Sequence, residues 1–418
     1  MSVIAKTLVL FTAVSPVLAQ ETLTGECMGT TWSVVVGRWV QEVPNLAVLI
    51  QHELDDVDRA MSTWKEDSEI SRFNASRSTD WFPVSVETAN VVTASLRVSA
   101  ATDGAFDITV SPLIDLWNFD RNEGRGSIPT ADQIEQAKQR TGYQKLTVRI
   151  DPPALRKSHP ELSINLSAIA KGHAVDRVNG VLTSTGVLTA LVEVGGEVYA
   201  RGVKADGKPW TVGIEEPLDN ARAIRLAVPL SSQAMATSGD YRNFYVVDGT
   251  RYSHTIDPRT GIPVTHDTAS VSVIGHSCMM TDAWATALMV VGANDTSVEL
   301  PEHLAALIMT RSSTGQITET RIGSFPTDPR PPKPVDNPSS MWPVFLAAAI
   351  VFLIAVAGMA VGVIISNKRL KGSCGGLAGL SDGSGNTSCE ICADPSPECQ
   401  GENADAASAT VTCTEDSA

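Results

Sequence analysis

The segment SHTIDPRTG at residues 253–261 is the densest group of polar side chains in the chain, and DAWAT follows it at residues 282–286. The first segment holds a histidine, an aspartate, an arginine and several hydroxyls, and the second adds Asp282 and Thr286. The chain has seven histidines in 418 residues, so few side chains could exchange a proton near neutral pH. His254, in the densest polar cluster, is therefore the candidate for proton-transfer chemistry.

The two oxygen-bearing side chains of DAWAT have helical spacing. Asp282 and Thr286 stand four positions apart, which brings their oxygens to the same side of a helix. Paired hard oxygens suit Mg²⁺, which takes few protein ligands and completes its shell with phosphate and water. The spacing by itself favours another interpretation, in which Asp282 caps the helix and Thr286 lies on its surface.

Two upstream segments offer contacts for an apolar or planar ligand. CMGTTWSV at residues 27–34 places Met28 just before a predicted strand, where it either lines a pocket or only begins the strand. STWKEDSEISRFN at residues 62–74 joins Trp64 to a polar turn whose Ser68 suits a helix N-cap. Trp64 could stack on a planar ligand, and packing in the core explains it equally well.

Two further segments place a charge among apolar or small residues. GAFDITVSPL at residues 104–113 carries Asp107 in an apolar run, where a carboxylate needs a partner, either a ligand or a backbone turn. NLSAIAKGHAVD at residues 165–176 places Lys171 among small residues, which let a phosphate approach while lysine supplies a point charge. No Walker or GxGxxG sequence occurs, so the ordinary nucleotide-binding folds are not indicated.

Together with VGG at residues 194–196 and SGDYRNF at residues 238–244, these segments resemble the ApbE family over residues 27–310. The resemblance implies a two-lobed α+β domain. It also implies a Mg²⁺-dependent FAD:protein FMN transferase. Such an enzyme splits FAD at its pyrophosphate, attaches FMN through a phosphoester to a Thr or Ser of a target protein, and releases AMP.

The resemblance also assigns roles to individual residues. It implies contacts with FAD from Met28, Trp64, Ala105, Phe106, Asp107, Asn165, Lys171 and Ile256. It implies that Asp282, Thr286 and the main-chain carbonyl of Ala168 hold Mg²⁺, and that His254 takes the proton of the acceptor hydroxyl. Two positions depart from the family. Asn165 stands where Asp is usual, which removes one charge near the cofactor, and Trp64 stands where a Tyr commonly stacks on the flavin.

Hydrophobic periodicity indicates mixed secondary structure in the long segment 20–325. Helical spacing predicts helices at 46–61, 87–101 and 131–141. Alternating or β-branched runs predict strands at 31–36, 145–150, 187–194, 210–214 and 269–274. Because no regular βαβ rhythm appears, we expect an α+β domain rather than a doubly wound sheet.

The two ends of the chain predict export and membrane anchoring. Residues 1–19 have the order of a secretory signal, with a lysine, an apolar run and a small-residue end. Residues 341–366 carry no charge and could cross about 30 Å of hydrocarbon, and the basic residues at 368–371 predict that the chain after them is cytoplasmic. We expect a single-pass protein of the bacterial inner membrane, with residues 20–325 in the periplasm on a proline-rich linker at 326–340.

The seven cysteines divide unevenly between these parts. Cys27 and Cys278 lie in the predicted exported domain, where they either pair or remain lone buried thiols.

The stretch AVGVIISNKRLKGSCGGLAGL at 360–380 resembles the NqrM family of one-helix membrane proteins, which matures the sodium-translocating NADH:quinone reductase. The resemblance covers a Cys-rich segment at 367–400, before an acidic tail at 401–418 that we expect to be disordered. It implies iron binding by Cys374, Cys389, Cys392 and Cys399.

The two resemblances together predict a bifunctional maturation factor. The reductase carries covalent FMN on its B and C subunits and iron centres in the membrane, so those subunits are the expected acceptors. Two other classes stay open: a protein that binds FAD or hydrolyses it to FMN and AMP, and a membrane assembly scaffold. The net charge of −15 argues against a nucleic-acid-binding protein.

Overall fold

The structure is a computed structural model. It describes residues 21–119, 127–219, 222–241, 243–295 and 297–326, and residues 350 and 352. The chain divides into two compact units, Met1–Val335 and Asp336–Ala418, and the elements below lie in the first. Residues 20–325, for which the sequence predicts two lobes, belong to that first unit.

Helices and strands alternate irregularly along the described chain. The helices are α1 (Leu46–Met61), α2 (Glu69–Ala75), α3 (Val86–Ala101), α4 (Ser111–Trp117), α5 (Ala131–Gln139), α6 (Ala170–Ser184) and α7 (Cys278–Val291). The strands are β1 (Glu21–Cys27), β2 (Thr30–Trp39), β3 (Phe82–Pro83), β4 (Leu146–Ile150), β5 (Pro153–Lys157), β6 (Val187–Val194), β7 (Glu197–Arg201), β8 (Trp210–Glu215), β9 (Ile224–Leu230), β10 (Gln233–Gly239), β11 (Phe244–Val247), β12 (Thr250–Ser253), β13 (Ile256–Asp257), β14 (Ile262–Pro263), β15 (Thr268–Gly275), β16 (Ala305–Arg311) and β17 (Ile317–Ile322). Hydroxyl side chains cap several helices, as the sequence predicts for Ser68, which accepts the Ser71 N–H at the start of α2.

One eight-stranded sheet forms the centre of the described domain. Its strands run in the order β1-β2-β6-β7-β10-β15-β16-β17, and each neighbouring pair is antiparallel. Side chains alternate along β16, so that Ala306 and Ile308 join the core beneath the helices while Leu307 and Met309 join the core on the opposite face. An antiparallel sheet of this kind confirms the α+β class.

The packing on the two faces positions the site. Helices α1, α3, α6 and α7 contribute to the main core on one face, and the β8–β9 hairpin covers the other. A separate cluster joins α4 and α5 to the β11–β12 hairpin. In that cluster Trp117 stacks on Tyr252 with ring centroids 5.6 Å apart, and its Nε1–H donates to the Gly261 carbonyl at 2.8 Å. The cluster therefore supports the segment 253–261 from beneath.

The predicted elements agree closely with the observed ones. The helices expected at 46–61, 87–101 and 131–141 correspond to α1, α3 and α5, although α5 ends two residues early at Gln139. The five predicted strands fall within β2, β4, β6, β8 and β15, apart from one leading residue of the second, Lys145. Cys27 and Cys278 are free buried thiols, which agrees with the second of the two interpretations offered for them.

Most of the residues at the two ends of the chain, for which export and membrane anchoring are predicted, are not among those that the structure describes. The signal peptide at 1–19, the linker from residue 327 to 340, and the Cys-rich and acidic segments at 367–418 lie outside the described residues. The membrane span at 341–366 does so too, apart from residues 350 and 352. In the part of the chain that the structure describes, no helix is long and apolar enough to span a bilayer.

Candidate active site

A cleft of about 820 Å³ opens where α6, α7 and the segment 253–261 meet. It is lined by most of the residues that the sequence singles out, namely Ala105, Phe106, Asp107, Asn165, Ala168, Lys171, His254, Ile256, Asp282 and Thr286. Met28 and Trp64 are not among the lining residues. Met28 lies in the β1–β2 turn with φ 50° and packs against the main core, and Trp64 is 76% exposed between α1 and α2. Their contact with a flavin stays a prediction.

Asp282 is held at the cleft by the start of α6. The Gly172 N–H donates to Asp282 Oδ2 at 3.0 Å, and the Asp282 residue is 4% exposed. The N-cap of α7 is Ser277, so the interpretation of Asp282 as a helix cap is wrong: Asp282 lies inside the helix and faces α6. Thr286, one turn later, is half-buried rather than on the surface, and its Oγ1 lies 3.1 Å from Ser238 Oγ.

A glycine makes this approach of α6 to α7 possible. A Cβ atom at Gly172 would overlap the Cys278 carbonyl oxygen, and it would lie 2.7 Å from the Cys278 carbonyl carbon and 2.8 Å from Asp282 Cβ. Gly172 is the third residue of α6, so its N–H has no acceptor within the helix, and it donates to Asp282 instead. The Asp282 carboxylate is therefore bonded to the first turn of α6, which begins two residues after Ala168.

The oxygens gathered here fit Mg²⁺. A carboxylate, a hydroxyl and a main-chain carbonyl are hard ligands, and Mg²⁺ usually takes few from the protein. The described residues contain no group of three His, Cys, Asp or Glu side chains arranged for a metal, so such a site depends on the Thr286 hydroxyl and the Ala168 carbonyl. Burial raises the pKa of the Asp282 carboxyl, although Lys171 and the Gly172 N–H favour its ionised form. A bound divalent cation would offset that cost of burial.

Glu197 is a site residue that sequence reasoning missed. Lys171 Nζ donates to Glu197 Oε1 at 2.6 Å, and Glu197 is 3% exposed at the start of β7. Burial, and then the charge of Asp282, raise the pKa of Glu197 to about 8, while Lys171 opposes that rise. Its Oε2 is buried without a hydrogen-bond partner among the described groups. The sequence feature that could have identified Glu197 is its position: it is a carboxylate directly after the Gly195–Gly196 turn, at the start of a buried strand.

Lys171 keeps its positive charge in this setting. Burial disfavours the charged ammonium, but Glu197 and Asp282 outweigh that effect, so the pKa of Lys171 is raised. Two buried carboxylates thus face one ammonium group. Burial raises the pKa of both carboxyls, and a bound cation would favour their ionised forms.

His254 is exposed between β12 and β13, and one carbonyl orients it. Its backbone N–H and its Nδ1 both point at the Asn243 carbonyl, at 3.0 Å and 3.1 Å. Because a carbonyl only accepts, Nδ1 donates this hydrogen bond, and in the neutral imidazole the lone pair is then on Nε2. This tautomer suits a base that acts through Nε2, and Asn243 is a second residue that the sequence did not single out.

Asp107 and Asn165 shape the wall of the cleft. Asp107 Oδ1 accepts from the Thr109 N–H at 2.8 Å, and Oδ2 accepts from the Tyr143 N–H at 2.7 Å. Burial raises the pKa of Asp107, while these hydrogen bonds oppose the rise. The sequence left two partners open for Asp107, a ligand or a backbone turn, and in the structure its carboxylate is bonded to backbone N–H groups. Asn165 Oδ1 likewise accepts from the Ser167 N–H at 2.8 Å, so both side chains brace loops that line the cleft.

Comparison with known proteins identifies the family. The model of the ApbE family matches residues 28–308, and the model of (Na+)-NQR maturation NqrM matches residues 363–410. The chain belongs to the ApbE family and is an enzyme of the flavin-transferase class.

Particular relatives are similar over most of the chain. The FAD:protein FMN transferase of Salmonella typhimurium is 42% identical over 308 residues, covering 73% of this chain and 87% of the relative. The solved structure of flavin transferase ApbE from Vibrio cholerae is 38% identical, with a TM-score of 0.65, and covers 73% of this chain and 98% of that one. The apo flavinyl transferase ApbE of Pseudomonas stutzeri is 36% identical, also with a TM-score of 0.65, and covers 72% and 94%.

Proposed function

We propose that this chain transfers FMN from FAD to a Thr or Ser hydroxyl of an acceptor protein, with Mg²⁺, and releases AMP. The observation that carries the proposal is one cleft that gathers an oriented histidine, a charged lysine and a set of hard oxygen ligands. Phosphoryl transfer needs alignment of the reacting groups and neutralisation of charge more than it needs covalent chemistry from the protein. The cleft supplies groups for both.

The transfer assigns a step to each group. The acceptor oxygen attacks the phosphorus of the FMN half of FAD and gives its proton to His254 Nε2. The bond from that phosphorus to the bridging oxygen breaks, and the bridging oxygen leaves with AMP. The Lys171 ammonium, which Glu197 holds by an ion pair of 2.6 Å, stabilises negative charge on the pyrophosphate.

The oxygens of Asp282, Thr286 and the Ala168 carbonyl would hold Mg²⁺. When bound, the ion would neutralise charge on the pyrophosphate and on the leaving phosphate. The Gly172 N–H fixes the orientation of the Asp282 carboxylate. Outer contacts of this type fix the direction of a ligating side chain.

Mass spectrometry of an acceptor tests the proposal. The acceptor is incubated with FAD, Mg²⁺ and the wild-type protein, and we expect one FMN phosphoester on a Thr or Ser together with one equivalent of AMP. EDTA should abolish the product, and so should Asp282→Ala, whereas the exposed control Asp295→Ala should retain it. AMP and free FMN without a modified acceptor would instead indicate a pyrophosphatase. Absence of both products would indicate a binding protein or an inert scaffold.

We further propose a division of the chain across the bacterial inner membrane. A signal at 1–19 would export the transferase to the periplasm, and a span at 341–366 would leave the tail in the cytoplasm. The match of residues 363–410 to the NqrM model supports a role for the tail in maturing the sodium-translocating NADH:quinone reductase. Its B and C subunits are the proposed acceptors, and the proposed iron ligands are Cys374, Cys389, Cys392 and Cys399.

A further inference from the structure

The segment STWKEDSEISRFN ends in Phe73 and Asn74, to which the mechanism assigns no role. Asn74 lies near the C-terminal end of α2 and does not line the cleft. Its side-chain amide forms two hydrogen bonds with Ile164: Nδ2 donates to the Ile164 carbonyl and Oδ1 accepts from the Ile164 N–H, each at 2.8 Å. One side chain thus satisfies both backbone groups of a fully buried residue.

A second connection runs beside the first. Lys157, at the end of β5, is 1% exposed, and its Nζ donates to the Phe73 carbonyl at 3.1 Å and to the Leu162 carbonyl at 2.9 Å. Both acceptors lie close in sequence to the Asn74–Ile164 pair. Asn74 and Lys157 therefore tie the end of α2 to the segment 162–164.

The tied segment leads directly into the cleft wall. The Asn165 N–H donates to the Ile108 carbonyl at 2.7 Å, which fixes the chain one residue after Ile164. Ser167, Ala168 and Lys171 follow, and all three line the cleft. Because α6 begins at Ala170, the chain from Ile164 to the helix is short, and the position of the Ala168 carbonyl depends on where Ile164 is held.

We propose that Asn74 is a positioning residue for flavin transfer, acting through Ile164 on the segment 165–168. The inference rests on the proposed function, since the groups it positions are those assigned to FAD and Mg²⁺. An amide is needed because the Ile164 backbone requires one donor and one acceptor side by side. An ionised carboxylate would supply no donor, and alanine would supply neither group.

The first test compares Asn74→Ala with a matched control in the full-length protein. The control is Asn179→Ala, because Asn179 on α6 accepts from Arg201 Nη1 at 3.1 Å and does not line the cleft. Asn74→Ala should weaken FAD binding, followed by flavin fluorescence with Mg²⁺ present, by about tenfold. Asn179→Ala should bind as the wild type does. Wild-type affinity in Asn74→Ala at full binding stoichiometry would overturn the proposal.

The second test uses pH to restore the missing donor. In Asn74→Asp, the introduced carboxyl gains a proton as the pH falls, and it can then donate to the Ile164 carbonyl as the amide does. The FAD affinity of Asn74→Asp should therefore recover, relative to wild type, as the pH falls from about 7 toward the ordinary aspartate pKa of about 4, while that of Asn74→Ala should not. Parallel pH profiles for the two variants would contradict the assigned geometry.

The third test needs no FAD. Hydrogen exchange of peptides covering residues 162–169 should be faster in Asn74→Ala than in the wild type, while exchange in α7 should be unchanged. Unaltered exchange in residues 162–169 would overturn the positioning role even in an active transferase. Failure of the wild type to modify any acceptor would instead contradict the proposed function. It would not change the hydrogen-exchange result, which tests the positioning of residues 162–169 by itself.

Discussion

The tautomer of His254 is set by one backbone carbonyl, and this suits the residue to accept a proton. Asn243 accepts from Nδ1, so the Nε2 lone pair can take the proton of the acceptor hydroxyl. His254→Asn should slow FMN transfer by roughly 10²–10⁴-fold, because an amide cannot serve as a general base. Single-turnover labelling of the acceptor measures the rate, and flavin fluorescence should find a much smaller change in FAD affinity. Labelling at the wild-type rate would make His254 a structural residue.

Glu197 should make the metal-free domain less stable as the pH rises. Its pKa is about 8 in the folded domain against an ordinary value of 4.5, so the folded state binds a proton that the unfolded chain has released. The resulting stability is complete below about pH 4.5 and is lost as the pH rises through about 8.

Glu197→Gln removes this titration. In EDTA, its melting temperature should therefore fall less than that of the wild type between about pH 5 and about pH 8.5. Thermal unfolding followed by circular dichroism across that range measures the difference. A parallel decline in the two proteins would show that other groups carry the pH dependence.

At the scale of elements, the contact between α6 and α7 places Asp282 in the cleft. The absence of a side chain at Gly172 allows that contact, because a Cβ there would meet the Cys278 carbonyl group. Gly172→Ala should destabilise the domain by about 1–3 kcal/mol, since the overlapping atoms are backbone and cannot rotate away. It should also reduce transfer activity, because the helices must separate and carry Asp282 with them. Denaturant unfolding and acceptor labelling measure the two effects.

The same helix provides a matched control for that change. A Cβ at Gly180 of α6 would meet nothing within 4 Å. Gly180→Ala should stabilise the domain by roughly 0.5–1 kcal/mol, because alanine loses less backbone entropy than glycine in a helix. If both variants lower stability alike, the effect belongs to helix α6 in general rather than to its contact with α7.

At the scale of the whole molecule, the proposed activities should separate between the two parts of the chain. The main core and the cleft lie within residues 21–326 as the structure describes them. A chain that stops at Ser340 should therefore be soluble and should label the acceptor as the full chain does. Loss of labelling on truncation, with the domain still folded, would contradict this division.

The complementary variant changes only the tail. Cys374→Ser combined with Cys392→Ser should leave flavin transfer unchanged but yield a reductase with less iron, since thiolates are suitable ligands for iron. Co-expression with the reductase, followed by iron analysis and in-gel flavin fluorescence, measures both outcomes. An iron-complete reductase in a strain with no other source of this module would reject the role of the tail.

Much of the fold followed from the sequence, because it depends on neighbours along the chain. The strand expected at 187–194 is β6, and the helix expected at 46–61 is α1, since periodicity reports which face of each element is buried. The antiparallel order of the central sheet was not predicted. It depends on pairing between strands far apart in sequence, such as β2 with β6.

The sequence by itself determined the family, the α+β class and ten of the residues that line the cleft, because motif order and local periodicity are properties of the chain alone. Only the tertiary structure decided how those residues are held. The ion pair of Lys171 with Glu197 joins positions 26 apart, and the bonds of Asn74 to Ile164 and of Gly172 to Asp282 join positions 90 and 110 apart. These contacts exist because packing brings distant segments together and removes water from their polar groups, and burial then sets the charge of Glu197.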